Sequence, residues 1–136
     1  MDIDVMRTAM LNCELFSGLE QNDLGGLMMG ARPRSFLDGE SIYSKGDEAA
    51  GVFALIASGK VGAVAENGFV VTEMSVGEVI GEVGIISQQG KRTVTVKAVG
   101  PTELLEWNIK NIQESSPNFV KKLKELAWKR LKNWCE

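Results

Sequence analysis

The stretch 81-GEVGIISQQGKRTVTVKA-98 sets glycines, a glutamate, a Gly-Lys-Arg-Thr run and a β-branched segment one after another. Glycines followed by cations and a hydroxyl point to a phosphate, and the spacing selects among phosphate-binding designs. A P-loop needs four residues between its glycines and Lys followed by Ser or Thr. Here Gly84 and Gly90 bracket five residues and Lys91 is followed by Arg92, so that design fails. A dinucleotide fingerprint fails as well, because Gly77, Gly81 and Gly84 lack its spacing. Thr93-Val94-Thr95-Val96 alternates as a strand does, where a P-loop would open a long helix. Glu82 and Arg92, ten positions apart, then stand at the two ends of a short helical turn expected over residues 82–87. Ile85 and Ile86 anchor that turn in the core, and the amides of Val83 and Gly84 are left free for an anion. Arg92 supplies a forked cation, Thr93 a hydroxyl, and Glu82 an acceptor for a sugar hydroxyl. The ligand so described is a sugar phosphate of limited negative charge.

Around this stretch the chain changes texture twice. Met6, Met10 and Leu11 share a helical stripe, Leu15 and Phe16 precede the turn Ser17-Gly18, and Leu19, Leu24, Leu27 and Met28 continue beyond a cap at Asn22-Asp23. From Arg32 to Asn108 short β-branched and aromatic runs are separated by turn signals such as Asp38-Gly39, Ser58-Gly59 and Asn67-Gly68. The strands expected are 32–36, 41–44, 52–57, 60–65, 69–75, 93–99 and 103–108, in a sandwich or roll. Asn67-Gly68 is the strongest hairpin signal. Ser116-Pro117 then opens a last helix, with Ser at the N-cap and Pro in the first turn. With no repeat or linker in its 136 residues, the chain reads as one domain: lead-in helices over 1–30, roll over 31–108, helices over 109–136.

Composition removes whole classes of function. The chain has no histidine, which excludes Ser/His and Cys/His nucleophile systems, His-ligated haem or zinc, and the metal centre of a cupin-like enzyme. Cys13 and Cys135 lie near opposite ends and read as two reduced thiols. A net charge of −3 disfavours nonspecific nucleic-acid binding. The amino terminus, MDIDVMRTAM, lacks the basic and apolar parts of a signal peptide, and no apolar run approaches a membrane span, so a cytoplasmic protein is expected.

Gly81-Glu82 followed by Arg92-Thr93 resembles the phosphate-binding cassette of cyclic-nucleotide-binding domains, with the length found in catabolite activator regulators. The resemblance extends over nearly the whole chain through Phe16-Ser17-Gly18-Leu19, Gly39, Gly46-Asp47, Phe53, Gly59 and Gly77. It implies a mainly β fold with flanking helices: a β-roll, or double-stranded jelly roll, of roughly eight strands. It also implies that Glu82 meets a ribose 2′-hydroxyl and Arg92 a cyclic phosphate, with Gly81, Val83, Gly84 and Thr93 completing the cradle. Ile80, Lys91 and Val94 depart from the family's usual residues without removing a ligand contact. Ala63, Val71 and Met74 either line the base and ribose pocket or belong to plain core.

The last helix carries Lys121, Lys122, Lys124, Lys129, Arg130 and Lys132, while Phe119, Val120, Leu123, Leu126, Ala127, Leu131 and Trp134 share one apolar arc. Trp128 falls off that arc and either caps a bound base, joins a partner chain or stands exposed. Arg130 lies inside the arc, as a second candidate base cap, and snorkels or meets a carboxylate. The expected function is a stand-alone, non-enzymatic sensor whose ligand is cAMP or cGMP, with no cofactor. Its output is a movement of the C-terminal helix, read by a homodimer or a partner protein. The resemblance places a DNA-binding helix-turn-helix after this helix in the transcription regulators, and none is expected here; membrane contact is not expected either. The alternative is a ligand-free interaction domain of the same fold.

Overall fold

The computed structural model describes residues 2–65, 67–86 and 90–134. Helix α1 (Ile3–Leu11), a 3-10 turn (Glu14–Phe16) and α2 (Gln21–Gly30) lead into β1 (Arg32–Phe36), β2 (Ser41–Tyr43), β3 (Val52–Val64), β4 (Val70–Ser75) and β5 (Val79–Ile80). Helix α3 (Glu82–Ile86), β6 (Thr95–Asn108), α4 (Ile109–Ile112) and α5 (Pro117–Trp134) complete the chain. The strands are antiparallel throughout, in the order β1-β6-β3-β4, with β2 also on β6 and β5 also on β3. This is the mainly β roll with flanking helices that the cassette implies.

β3 and β6 each join two of the expected strands. Ser58-Gly59 interrupts the apolar pattern of β3 without ending it, and the ladder to β6 continues through register shifts on either side of Ser58. With β3 and β6 each divided at that bend, the six hydrogen-bonded strands make eight, the seven placed from the sequence and β5. β5, two residues long, is too short to carry an alternation and was not expected. The Asn67-Gly68 hairpin forms as expected, with the Ala65 amide donating to Phe69 O at 2.9 Å.

Gly59 shows why the bend needs glycine. Its φ is +84°, and a Cβ there would lie 2.3 Å from the Pro101 carbonyl oxygen. Gly39 has a similar φ of +81° but open space around it. Gly39→Ala should therefore lose only about 1–2 kcal/mol, the left-handed penalty alone, and Gly59→Ala clearly more. Chemical denaturation of the two variants checks this: equal losses would show that the close approach to Pro101 costs nothing.

The alternating faces of β3 feed two cores. Phe53, Leu55 and Ala57 face the helices, where they join Met10, Phe16, Leu105, Trp107, Phe119 and Leu123. Ala54 and Ile56 face the interior of the roll with Tyr43, Val61, Met74, Ile80, Val96 and Leu104. A strand buried on both sides explains the unbroken apolar run Val52–Ala57. Four aromatic rings tie the helices to the roll, with Phe16 4.8 Å from Phe119 and Phe53 5.7 Å from Trp107. The Trp107 indole N–H donates to Leu27 O at 2.7 Å and fastens α2.

Three local expectations are corrected. Leu11 is exposed rather than on the packed stripe of α1, because the helix ends at it. Helix α2 begins after Glu20, two residues before the expected Asn22-Asp23 cap. In α3 the residues fully buried are Glu82, Val83 and Gly84; Ile85, half-buried, packs against the helix-side core as expected, whereas Ile86, also half-buried, joins neither core. Helix α5 starts at Pro117 as expected and buries Phe119, Val120, Leu123 and Ala127. Cys13 is buried. Cys135 and the side chains of Leu131, Lys132 and Trp134 lie outside the described residues. Among the described residues no helix is long and apolar enough to cross a membrane.

Candidate functional site

β5 delivers the chain into the roll, and Gly81, at φ +82°, turns it straight into α3. That turn has no room for a side chain: a Cβ on Gly81 would meet Arg92 Nη1 at 2.7 Å and Tyr43 Cε2 at 2.9 Å. Val83 and Gly84, in the first turn of α3, border the same space, and the amides of a helical first turn have no partner within the helix. From the other side, the segment before β6 is pinned to the Gly46-Asp47 turn. Arg92 N donates to Asp47 O at 2.7 Å and Gly46 N donates to Arg92 O at 2.9 Å. Both backbone groups of Arg92 are thereby fixed, and its side chain enters the roll.

Arg92 is only 6% exposed. Its guanidinium donates to Gly81 O at 2.9 Å and to Ala49 O at 3.4 Å, and lies over the Tyr43 ring with Cζ 3.7 Å from the centroid. Among the described residues no carboxylate forms an ion pair with it. Burial consequently pulls its pKa below the ordinary arginine value, only partly offset by Tyr43 and the more distant carboxylates.

Glu82 is 2% exposed. Its Oε1 accepts from Arg130 Nη1 at 2.8 Å, and the same nitrogen donates to Val79 O. Its Oε2 is buried with no partner among the described residues. The pair Arg130–Glu82 is therefore what joins the end of α5 to the cassette.

Tyr43, Met74, Ile80, Gly81, Glu82, Val83, Gly84, Arg92, Thr93, Val94, Val96 and Arg130 enclose one cavity of about 20 Å³, room for roughly one water. The space thus holds a buried cation and a buried carboxylate oxygen that find no counter-ion and no donor among the described residues, together with a helical first turn and a threonine. Such a set is complementary to an anion carrying a hydroxyl.

The family model described as cyclic nucleotide-binding domain matches residues 33–115. The chain belongs to the cyclic nucleotide-binding domain family. Among solved structures it is similar to the catabolite activator protein of Thermus thermophilus, at 26% identity and a TM-score of 0.73 over 88% of this chain and 58% of that one. A PKAR CBD2 chain with Sp-2Cl-cAMPS bound shares 17% identity at a TM-score of 0.75, over 93% of this chain and 82% of that one. The regulatory subunit of a cAMP-independent protein kinase A from Trypanosoma brucei shares 20% at a TM-score of 0.78, over 92% of this chain and 45% of that one. No curated protein matches the chain by sequence. The fold is common to a chain holding a cAMP analogue and to one described as cAMP-independent, so the ligand must be argued from the site.

Within this cyclic nucleotide-binding domain the cassette residues Gly81, Glu82, Val83, Gly84, Arg92 and Thr93 all border the cavity, as does Met74. Ala63 is buried in the roll's interior core but does not reach the cavity, and Val71 is 64% exposed on β4. Trp128 is 57% exposed and off the cavity, so its position gives no support to a base cap. Arg130 does reach the cavity, and of the alternatives open for it the structure selects the carboxylate. Tyr43 was missed. The three residues of β2 show no alternation that would mark it as inward, and no spacing to Arg92 announces the stack.

Burial, with the nearby Glu106 carboxylate, pushes the Tyr43 phenol well above the ordinary tyrosine value. Tyr43 is the chain's single tyrosine, so phenolate absorbance reports it alone. In the folded protein no phenolate should form about one unit above the ordinary value of about 10, whereas the unfolded chain ionises there. Because the raised pKa belongs to the folded state, this group's contribution to stability is complete below the unfolded value. It is lost as the pH rises beyond it toward the folded one. Native phenolate absorbance at the ordinary value would show Tyr43 to be solvated.

Proposed function

We propose that this chain is a regulatory sensor domain that binds a cyclic mononucleotide, cAMP or cGMP, and reports it through the end of α5. One observation carries the reading: among the described residues Arg92 is buried without an ion-pair partner, and it shares a cavity with Glu82, whose buried Oε2 has no donor among them. A cyclic phosphate supplies the missing negative charge and a ribose 2′-hydroxyl the missing donor. The amides of Val83 and Gly84 and the Thr93 hydroxyl complete the phosphate cradle, and Glu82 Oε1 keeps its bond to Arg130.

A cavity of about 20 Å³ is far smaller than the hundreds of Å³ typical of small-molecule sites, so its walls must part for a ligand. The movable wall is the end of α5. Its first turns are held by Phe119, Val120 and Leu123 in the core and by Lys122 Nζ donating to Ser17 O at 2.9 Å. Beyond Ala127 the described tie is Arg130. A ligand that holds Glu82 in place favours the position of α5 in which Arg130 can reach it, which is the unequal binding that a conformational signal requires. We assign the domain no catalytic step. A second copy or a partner protein of the cytoplasm would read the α5 surface, where Trp128 and lysines are exposed.

The second reading, a ligand-free interaction domain, is favoured by the small volume of the cavity and by the bonds of Arg92 to Gly81 O and Ala49 O. Thermal-shift screening against cAMP, cGMP and cyclic dinucleotides separates the two. At a hundred times Kd a ligand of the folded state adds about 2.7 kcal/mol, a rise of roughly 8 °C for a domain of this size. Stabilisation by one cyclic mononucleotide supports the sensor; silence across the panel supports the interaction domain.

A further inference from the structure

Arg92 is a cation buried beside a carboxylate that it does not touch. Glu106, on β6, is almost fully buried, and its Oε2 accepts from the Tyr43 hydroxyl at 3.1 Å and from Arg34 Nη1 at 3.3 Å. Tyr43 stands between that carboxylate and Arg92, its ring 3.7 Å from the guanidinium carbon. The four side chains form a series across the roll: Arg34 from β1, Glu106 from β6, Tyr43 from β2, then Arg92.

The order of the series has a chemical consequence. A carboxylate in direct contact with Arg92 would occupy the N–H fork that a phosphate needs. With a phenol interposed, the negative charge still offsets the buried guanidinium through space, while the ring covers only one flat face and leaves clear the three edge donors not given to Gly81 O and Ala49 O. The hydroxyl bond to Glu106 fixes the ring, and Arg34 neutralises Glu106 from its outer side. We infer that Tyr43, tethered by Glu106 and Arg34, is a positioning residue that holds the Arg92 fork open for an anion. The inference rests on the proposed binding of a cyclic mononucleotide at this site.

The test is calorimetric titration of cAMP and cGMP into the wild type, Tyr43→Leu and Tyr43→Phe, alongside NMR of the ligand-free wild type. Tyr43→Leu removes the platform and should weaken binding about thirtyfold, as expected for a desolvated cation–π contact. Tyr43→Phe keeps the ring and should recover most of the affinity, which a loss of packing alone would not require. In the wild type, the Arg92 side-chain protons, identified by their disappearance in Arg92→Lys, should be shifted upfield by the ring, a readout independent of whether any variant folds. Wild-type affinity in Tyr43→Leu, or unshifted Arg92 protons, would overturn the inference and leave the proposed function standing. A wild type that binds neither nucleotide would overturn both.

Discussion

Replacing Arg92 with alanine should reduce affinity for the cyclic mononucleotide by more than about a hundredfold, from the loss of two charge-assisted hydrogen bonds at about 1.5–3 kcal/mol each. The bonds to Gly81 O and Ala49 O do not weaken this expectation, because a guanidinium has five N–H donors and these take two. Burial has already destabilised its charge, so an arriving anion relieves a penalty present in the free protein. Arg92→Lys should fail nearly as badly, since an ammonium can neither fork to two phosphate oxygens nor stack flat on Tyr43. Circular dichroism and a thermal melt establish that each variant is folded before titration. A folded Arg92→Ala protein within threefold of the wild type would remove Arg92 from the site.

Arg130→Ala should lower stability by about 3 kcal/mol, near the lower end of the range for breaking a buried pair. Its side chain is 19% exposed, so water offsets part of the loss, but Glu82 at 2% has no such relief and would be left as an uncompensated charge. Urea unfolding should show the midpoint falling by roughly 1.5 M with an unchanged slope. Glu82→Gln should lose less, because the amide oxygen still accepts from Arg130 and the charge left unpaired is that of Arg130, which reaches water. Nucleotide affinity should fall in Arg130→Ala as well, since Glu82 loses the bond that sets its orientation. A loss below about 0.5 kcal/mol would place the pair among solvated surface bridges, and tighter binding would mean that Arg130 opposes the ligand.

Much of this was legible in residues 81–98. The glycine positions excluded the P-loop, and the Glu82 to Arg92 spacing marked the two residues that the fold brings into one cavity. Turn chemistry located the roll, because Gly59 and Gly68 act locally, each through a positive φ. Long-range relations were not legible. The continuity of β3 across Ser58 depends on the register of β6, and the Tyr43 stack depends on three strands converging. Trp128, chosen because it left the apolar arc of its helix, stands exposed for that same reason. Arg130, inside the arc, had its carboxylate anticipated as a type, but only the packing of α5 on α3 names it as Glu82.

A structure of the protein crystallised with cAMP or cGMP tests the central claim most directly. The cyclic phosphate should lie within hydrogen-bonding distance of the Arg92 guanidinium and the Val83 and Gly84 amides. The ribose 2′-hydroxyl should sit on Glu82 Oε2, which lacks a partner among the described residues. Nucleotide bound elsewhere on the roll, or in this cavity with its phosphate away from Arg92, would contradict the account.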